Sequence, residues 1–268
     1  MKVLFIGDIV GKPGRRAIKR LLPGIIEHNA IDFVIANCEN AAGGFGVTRD
    51  IMDELLQNPI DVFTSGNHIW DKKEMLDCFN EYRMLLRPIN YPEGAPGRGS
   101  IVAQRREGEP PIAVLNLEGR VFMRPLDCPF RAAERAVAAL RAETPVVIVD
   151  IHAETTSEKQ AMGWFLDGRV SAVIGTHTHV QTADETILPK GAAYISDAGM
   201  TGPFDSILGM RKDTVIERFL TARPNKFEVA KGDVRLQGVI VEIDGKSGRG
   251  LAITRVNARE DDAEKSLA

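Results

Sequence analysis

The feature that most constrains the fold is a series of short apolar runs. Each run is followed directly by a short polar segment, here called a corner. Six of these runs cover residues 3–6, 32–36, 61–64, 112–117, 146–149 and 172–174. Runs of this length, rich in β-branched residues, are typical of buried strands. Helical patterns lie between them over residues 13–22, 48–56, 130–140 and 157–166, with Thr48 and Ser157 as expected N-caps. The alternation predicts an α/β fold whose ligand site lies beyond the carboxyl ends of the strands.

The pattern changes after Ala192, where strands separated by glycine turns replace the alternation. The clearest of these strands cover residues 234–243 and 251–256, and we expect them to form a second sheet that packs on the first. No internal repeat and no linker rich in Pro, Gly or Ser interrupts the chain. The sequence therefore predicts a single domain over residues 1–257, followed by a charged tail over residues 258–268 that we expect to be frayed.

Charge, cysteine content and hydropathy exclude several classes of protein. The 34 basic and 37 acidic side chains give a net charge of −3, which supplies no global basic field to hold long nucleic acid. The three cysteines are widely spaced and form no Cys-x-x-Cys pair, which favours thiols in a reducing cytoplasm over a disulfide scaffold. We expect no secretion signal and no membrane span, because the apolar runs are too short. Homo-oligomer formation is left open.

Four of the five histidines fall at or just after predicted strand ends, together with carboxylates and amides. The residues at these corners are Asp8, Glu39, Asn40, Asn67, His68, His152, His177 and His179. Since parallel strands bring their carboxyl ends together, we expect these residues to meet at one rim. Imidazoles mixed with carboxylates and amide oxygens suit divalent Mn, Fe, Zn or Co. A set of this size is too large for one tetrahedral ion, but suffices for two ions that share a carboxylate, an arrangement that hydrolyses phosphate esters.

The Gly-Thr-His-Thr-His corner of residues 175–179 is the sharpest of these motifs. In extended backbone, residues i and i+2 point to the same side. His177 and His179 would then both reach into one cleft, while Thr176 and Thr178 would face away.

Two further features of the sequence are candidates for phosphate contacts, but another interpretation is preferred for each. The glycine-rich segment of residues 42–46 has the composition of a phosphate-cradling loop, although a flexible rim loop is the preferred interpretation. The basic residues Arg120, Lys159, Arg211 and Lys212 are interpreted as solvated surface charges. Neither feature therefore belongs to the predicted site.

The corner motifs, in this order and spacing, resemble the metallophosphoesterase (calcineurin-like) superfamily. The shared positions are Asp8, Asn67, His68, His152 and residues 175–179. Longer stretches at residues 4–8, 40–44, 119–123 and 152–159 resemble its YmdB-like branch, of the cyclic-nucleotide phosphodiesterase type, and the similarity extends from Lys2 to about Ile243. The resemblance implies a four-layer α/β/β/α sandwich of the metallo-dependent phosphatase type.

The chain departs from the general superfamily pattern at three corners. The usual Asp-x-His is replaced by Asp8-Ile9-Val10, the usual Gly-Asp by Glu39-Asn40, and Ile69 stands where an acidic residue normally follows Asn-His. The YmdB-like branch shares the first two changes. By resemblance, Glu39 bridges two ions, one held also by Asp8, Asn40 and His179 and the other by Asn67, His152 and His177, while His68 is the acid and not a ligand. An amide in place of an imidazole favours Mn or Fe over Zn.

The implied activity is hydrolysis of small phosphodiesters, such as 2′,3′- or 3′,5′-cyclic nucleotides. A hydroxide shared by the two metal ions would attack phosphorus in line, and protonated His68 would donate to the departing oxygen. Two alternatives stay open: a phosphomonoesterase or nucleotidase with the same ligands, and a metal-bound regulatory scaffold without significant turnover. The intact site argues against the scaffold, which would not need His68.

Overall fold

The computed structural model describes residues 1–105, 108 and 110–265, which form a mixed α/β protein with two sheets. Its strands are β1 (Lys2–Ile6), β2 (Asp8–Ile9), β3 (Phe33–Asn37), β4 (Val62–Thr64), β5 (Ser100–Ala103), β6 (Ile112–Glu118), β7 (Val147–His152), β8 (Ala172–Thr176), β9 (Thr186–Ile187), β10 (Ala193–Ile195), β11 (Met200–Pro203), β12 (Val234–Ile243) and β13 (Gly250–Arg259). Its α-helices are α1 (Gly11–Asn29), α2 (Arg49–Leu56), α3 (Glu74–Cys78), α4 (Pro129–Leu140), α5 (Thr156–Leu166), α6 (Lys212–Thr221) and α7 (Glu260–Lys265), and a 3-10 turn over Phe79–Glu81 follows α3.

The first sheet is built from both ends of the chain. Its strand order is β2–β11–β12–β1–β3–β4, and β13 pairs with β12. β1, β3 and β4 are parallel, whereas β12 runs antiparallel to β1 with Val239 opposite Phe5. Because β12 and β13 belong to this sheet, the expectation that they form the second sheet is wrong. The physical reason is that β12 is buried along nearly its whole length, and the position between β1 and β13 provides that cover.

The second sheet comes from the middle of the chain. Its order is β5–β6–β7–β8–β10–β9, and β6, β7, β8 and β10 are parallel. At the carboxyl ends of its central strands, Glu118 pairs with His152 and His152 pairs with Thr176. Each sheet therefore presents a row of parallel strand ends, as the sequence pattern predicts.

Three clusters of buried apolar side chains hold the elements together. One is shared by the two sheets and includes Phe5 of β1 and Ile148 of β7. The second joins the first sheet to α1 and α2 and includes Ile18, and the third joins the second sheet to α4 and α5 and includes Met162. Each fully buried side chain of this size contributes about 1.5–3 kcal/mol relative to exposure. The shared cluster thus fixes the strand ends of one sheet relative to those of the other.

The helix starts agree with the sequence patterns at α2 and differ at α5. The Thr48 side chain caps α2 by accepting a hydrogen bond from the Ile51 amide at 3.3 Å. The N-cap residue of α5 is Thr155, whose side chain makes no capping hydrogen bond, so the expected cap at Ser157 is wrong. Among the described residues, no helix has the length and apolar character that crossing a bilayer requires.

Regular secondary structure continues into the predicted tail. β13 continues to Arg259, and α7 follows it directly. The Glu260 side chain is only 5% exposed and lies 2.7 Å from the Arg16 guanidinium and 3.1 Å from that of Arg20, both on α1. These ion pairs tie the start of the tail to α1, which the sequence pattern alone does not reveal. Residues 266–268 lie outside the described residues.

Candidate metal centre and its cleft

The predicted site residues lie together where the carboxyl ends of the strands of both sheets meet. Asp8 follows β1, and His152 is the last residue of β7. The remaining residues lie in the loops directly after β3, β4 and β8, and are Glu39, Asn40, Asn67, His68, His177 and His179. The first sheet thus supplies the carboxylates and amides, and the second supplies three of the four imidazoles.

His152 lies at the middle of one group of polar atoms. Its Nε2 atom is 3.0 Å from Glu39 Oε1, 2.9 Å from Asn67 Oδ1 and 3.0 Å from His177 Nδ1. Glu39, His152 and His177 each offer a ligand atom within 4.8 Å of the other two. His152 needs a close approach by the loop after β4, and Gly66 permits it, because a Cβ there would lie 2.1 Å from His152 Cδ2.

A second group of polar atoms surrounds His179. Its Nε2 atom is 3.0 Å from Asn40 Nδ2 and 4.0 Å from Asp8 Oδ1. Asn40 Nδ2 also donates to Glu39 Oε1 at 3.3 Å, so Glu39 contacts both groups. The Asp8 side chain is fully buried, and its Oδ1 atom has no hydrogen-bond partner among the described residues. An orphaned buried carboxylate oxygen of this kind calls for a cation.

The hydrogen bonds beneath His152 fix where its proton lies. The Thr176 hydroxyl donates to Asp150 Oδ1 at 2.7 Å and lies 2.9 Å from His152 Nδ1. Since that hydroxyl has one proton and has already donated it, neutral His152 must donate from Nδ1 to Thr176. Its Nε2 lone pair then faces the acceptor atoms of Glu39 and Asn67. Converging lone pairs of nitrogen and oxygen fit a transition-metal ion.

The charges of this cluster are strongly coupled. Burial disfavours the Glu39 carboxylate, but His152 and His68 outweigh that effect and lower the pKa of Glu39 to about 2. Burial likewise opposes charging of His152, but Glu39 raises the pKa of His152 to about 10. Burial and the neighbouring His152 lower the pKa of His177 to about 3. A metal ion would therefore meet a neutral His177 and an ionised Glu39, and would have to displace one proton from His152.

The Gly-Thr-His-Thr-His corner does not have the extended backbone that the sequence analysis assumes. His177 and His179 have φ angles of 98° and 62°, in the left-handed region. Both imidazoles still reach the cluster, because the chain turns at each histidine. The Thr176 hydroxyl does face away from the cleft, because it lies beneath His152 and bonds to buried Asp150. The motif identifies the right residues, but the extended backbone assigned to it is wrong.

A buried ion pair supports this corner from below. Asp197 Oδ2 accepts hydrogen bonds from the Thr178 amide at 3.0 Å and from the Thr178 hydroxyl at 2.6 Å. The Lys159 ammonium donates to the same oxygen at 2.8 Å, and both charged side chains are 1% exposed. The interpretation of Lys159 as a solvated surface charge is therefore wrong, because it neutralises Asp197 inside the protein.

His68 differs from its neighbours in the direction of its contacts. Its backbone amide donates to Glu39 Oε2 at 2.9 Å, while its ring Nδ1 lies 2.8 Å from Asp71 Oδ2. The Phe45 ring meets the imidazole edge-on, with centroids 5.0 Å apart. The superfamily's acidic residue after Asn-His is absent at Ile69, but Asp71 provides a carboxylate two residues later. This partner orients the ring so that Nε2 is left for a ligand.

A cleft of about 420 Å³ opens above the cluster. Its polar side includes Glu39, His68, His177 and His179, with Glu154 Oε2 3.1 Å from His177 Nε2. Its other side, here called the apolar wall, consists of Phe45, Leu208, Met210, Phe219 and Phe227. Among the described lining residues there is no lysine or arginine. An anionic ligand would meet only carboxylates and histidines unless a metal ion supplied positive charge, which is a second reason why this site fits metal ions.

Several site residues escape sequence reasoning. Asp150, Asp71 and Glu154 stand near the predicted motifs, and Asp150 carries a signal, since it is a carboxylate inside an apolar strand. The apolar wall comes from loops and from α6, where no periodic pattern marks a ligand site. Arg211 and Lys212 lie outside this cleft and are paired with Asp213, Glu228 and Asp205.

Fold and site together define an α/β protein with a candidate metal centre at the strand ends of two sheets. The chain belongs to the YmdB-like protein family, whose model matches residues 4–256. It is 49% identical over 261 residues to the 2′,3′-cyclic-nucleotide 2′-phosphodiesterase of Bacillus subtilis, covering 97% of this chain and 98% of that protein.

Two solved structures are similar along the whole length. One is a hypothetical protein from Thermus thermophilus, with 44% identity and a TM-score of 0.89, covering 97% of this chain and 99% of the other. The other is described as a novel phosphatase from Mycoplasma pneumoniae, with 34% identity and a TM-score of 0.89, covering 99% of this chain and 96% of the other.

Proposed function

We propose that this protein hydrolyses small phosphodiesters, with 2′,3′-cyclic nucleotides as the substrate class, at a centre of two metal ions. The chain is an enzyme, a phosphoric ester hydrolase. One observation carries the proposal: His152 Nε2 lies within 3.0 Å of Glu39, Asn67 and His177, under a cleft whose described lining residues include no lysine or arginine. The name of the Bacillus subtilis relative supplies the substrate class.

The two groups of contacts support a division of the ligands. Asp8, Asn40 and His179 form one group and Asn67, His152 and His177 the other, with Glu39 in contact with both. We assign one ion to each group and Glu39 as the bridge. The amide ligands favour Mn or Fe. When bound, such ions activate water and neutralise charge on the phosphate oxygens.

The residues of the chain complete the reaction. In hydrolysis of a 2′,3′-cyclic phosphate at the 2′ ester, the oxygen of water bonds to phosphorus and the bond from phosphorus to O2′ breaks. His68 holds the proton that the departing O2′ takes, and Asp71 at 2.8 Å keeps the imidazole oriented. The products are a nucleoside 3′-phosphate and a proton left from water, which returns to His68.

The proposal also includes the domain architecture and the cellular location. We propose that residues 1–257 form one domain with the layer order α/β/β/α, supported by one apolar cluster between the sheets and one under each helical layer. The free thiols of Cys38, Cys78 and Cys128 support a cytoplasmic location.

A phosphomonoesterase or nucleotidase is the second candidate, because one of the solved relatives is described as a phosphatase. A regulatory scaffold without significant turnover is the third. The apolar wall favours the first proposal, since it extends the site beyond the volume that a phosphate group needs.

A substrate panel separates these candidates. Metal-free protein is reloaded with Mn or Fe and offered cyclic mononucleotides, nucleoside monophosphates and long RNA. We expect cyclic mononucleotides to give the highest kcat/KM. Long RNA should be a poor substrate, because no lysine or arginine among the described cleft residues can hold a polyanion. Preference for monophosphates would make the protein a nucleotidase. If no member of the panel is hydrolysed, the regulatory scaffold is the candidate function that remains.

A further inference from the structure

The apolar wall has no part in the metal centre and closes one side of its cleft. We propose that this wall binds the base of a nucleoside whose phosphodiester lies over the candidate metal ligands. The inference rests on the proposed function and adds to it a site that selects nucleotides over other small phosphodiesters. Three separate segments of the chain supply the wall, at Phe45, at Leu208 and Met210, and at Phe219 and Phe227.

The wall starts directly beside the proposed acid. Phe45 is in edge-on contact with His68, and the backbone carbonyl of Leu208 lies 3.2 Å from His179 Nδ1. Gly44 allows its loop to approach Met210 closely, because a Cβ at that position would lie 2.3 Å from Met210 Cε. The loop of residues 42–46 is therefore packed against Met210. A ligand whose phosphate touches the histidines has these side chains within reach of its remaining part.

The chemistry of the wall selects a flat apolar group. Folding leaves Phe219 85% exposed and Leu208 48% exposed at the cleft, so a ligand would remove large apolar surfaces from water. Nucleobases stack on aromatic side chains with little dependence on base identity. The part of the lining that the structure describes has no lysine or arginine for a second phosphate, which favours a mononucleotide over a polymer. The occupant is therefore the heteroaromatic ring of the substrate itself.

The test compares two substrates with the same cyclic phosphate. One is adenosine 2′,3′-cyclic phosphate, and the other is methyl riboside 2′,3′-cyclic phosphate, which has no base. We expect wild-type kcat/KM to favour the nucleoside, and Phe219→Ala and Phe45→Ala each to reduce that preference by about 5- to 100-fold. Leu220→Ala is the matched control, since Leu220 is the next residue of α6, is 81% exposed and does not line the cleft.

Each outcome distinguishes the wall from the catalytic proposal. Equal wild-type turnover of the two substrates, or an unchanged preference in both phenylalanine variants, would overturn base binding by the wall. The phosphodiesterase proposal would be unaffected by either result. If the wild-type enzyme hydrolyses neither substrate, the catalytic proposal fails. Calorimetry with adenosine 3′-phosphate and with methyl riboside 3-phosphate then decides. Equal affinities for the two compounds would overturn the proposal that the wall binds the base, whereas weaker binding of adenosine 3′-phosphate by Phe219→Ala would support it.

A second inference rests on different atoms, at the buried junction of the two sheets. Asp150 of β7 accepts a hydrogen bond from the Thr176 hydroxyl of β8 at 2.7 Å and from Asn37 Nδ2 of β3 at 3.2 Å. All three side chains are fully buried. One carboxyl group thus joins a strand of the first sheet to two strands of the second.

Each branch of this network ends at a candidate metal ligand. Asn37 Oδ1 accepts from the Glu39 amide at 3.1 Å, and the Thr176 hydroxyl accepts from His152 Nδ1 at 2.9 Å. We infer that Asp150 is a positioning residue that holds Glu39 and His152 at their mutual distance and keeps the His152 proton on Nδ1. Partners that fix a ligating histidine in this way typically account for about 10- to 100-fold in metal affinity.

Exchanging the two side chains of the junction tests this role. In Asp150→Asn, the amide NH2 group faces either Asn37 Nδ2, where two donors meet, or the Thr176 hydroxyl, whose proton is then directed at His152 Nδ1. Both orientations disturb the network, so we expect a loss of Mn affinity of about 10- to 100-fold, measured by competition with a chelating dye. In the double variant Asn37→Asp with Asp150→Asn, the carboxylate introduced on β3 accepts from the amide side chain introduced on β7 and from the Glu39 backbone amide. The exchange therefore restores every hydrogen bond, and we expect it to restore the affinity.

A second pair of variants avoids any change of charge. Thr176→Ser keeps the hydroxyl and should bind Mn like the wild type, whereas Thr176→Val should lose about 10- to 100-fold in affinity. Thr144→Val is the control, since Thr144 is also buried but donates to the Pro111 carbonyl, away from the network. Equal Mn affinity in the Ser and Val variants would overturn the inference. A folded double variant that does not regain affinity would overturn it too, and if Asp150→Asn does not fold, the Thr176 pair decides.

Discussion

The cleft has a polar floor, made by the candidate metal ligands and His68, and the apolar wall. These two parts are built in opposite ways. The floor comes from residues at the ends of buried strands, and its most central side chains, Asp8, Glu39 and His152, are fully buried. The wall comes from loops and from α6, and the Phe219 side chain is 85% exposed. Rigid strands suit atoms that must keep fixed distances, whereas a stacking surface tolerates displacement.

This difference predicts which substitutions are costly. Changes of the buried metal ligands on the floor should affect metal content and kcat for every substrate, because these ligands have no substitute. Changes in the wall should affect the choice among substrates.

Glu39→Ala should have the largest effect. The bridging carboxylate would be lost to both ions, so we expect loss of metal and a fall in kcat of about 10⁴-fold. The matched variant is Glu154→Gln, which alters a carboxylate that also contacts His177 but is 49% exposed. It should cost no more than about tenfold. Unchanged metal content in Glu39→Ala, measured by elemental analysis, would show that Glu39 is not the bridge.

His68→Ala should keep the metal ions and lower kcat by about 10²- to 10⁴-fold, as expected for a lost general acid. The loss should shrink for a nitrophenyl diester, because nitrophenolate departs without protonation. His28→Ala is the control, since His28 lies exposed on α1. Equal losses with both leaving groups would mean that His68 positions the phosphate, and loss of metal would make it a ligand.

The pH dependence of metal uptake should follow His152. Its pKa in the metal-free protein is raised to about 10 by Glu39, so below that pH a metal ion must displace its proton. The pKa of His177, lowered to about 3 by burial and by His152, adds no dependence near neutrality. Mn affinity should therefore rise about tenfold per unit between about pH 6 and pH 9. A pH-independent affinity would contradict this assignment.

Asp71→Asn should have the smallest effect on the floor. The carboxylate that orients His68 is 40% exposed, so water can replace part of its hydrogen bonding. We expect kcat to fall about tenfold with metal content unchanged. A loss as large as that of His68→Ala would mean that Asp71 takes part in proton transfer.

The sequence predicts the floor and fails on the wall for a physical reason. Asp8, Glu39, Asn67 and His152 follow or end apolar runs, and the meeting of parallel strand ends brings such residues together. Pairing between distant strands has no local signal, so the place of β12 beside β1 was not predictable. The same holds for Phe219, whose exposure on α6 looks like any surface position until the cleft is seen.

The most direct test of the account is the metal content of the reconstituted protein. Metal-free enzyme should regain turnover of a 2′,3′-cyclic nucleotide as Mn or Fe is added, with activity rising until about two ions are bound per chain. Elemental analysis and turnover are measured on the same samples. Full activity with a single tightly held zinc ion would contradict the two-metal centre.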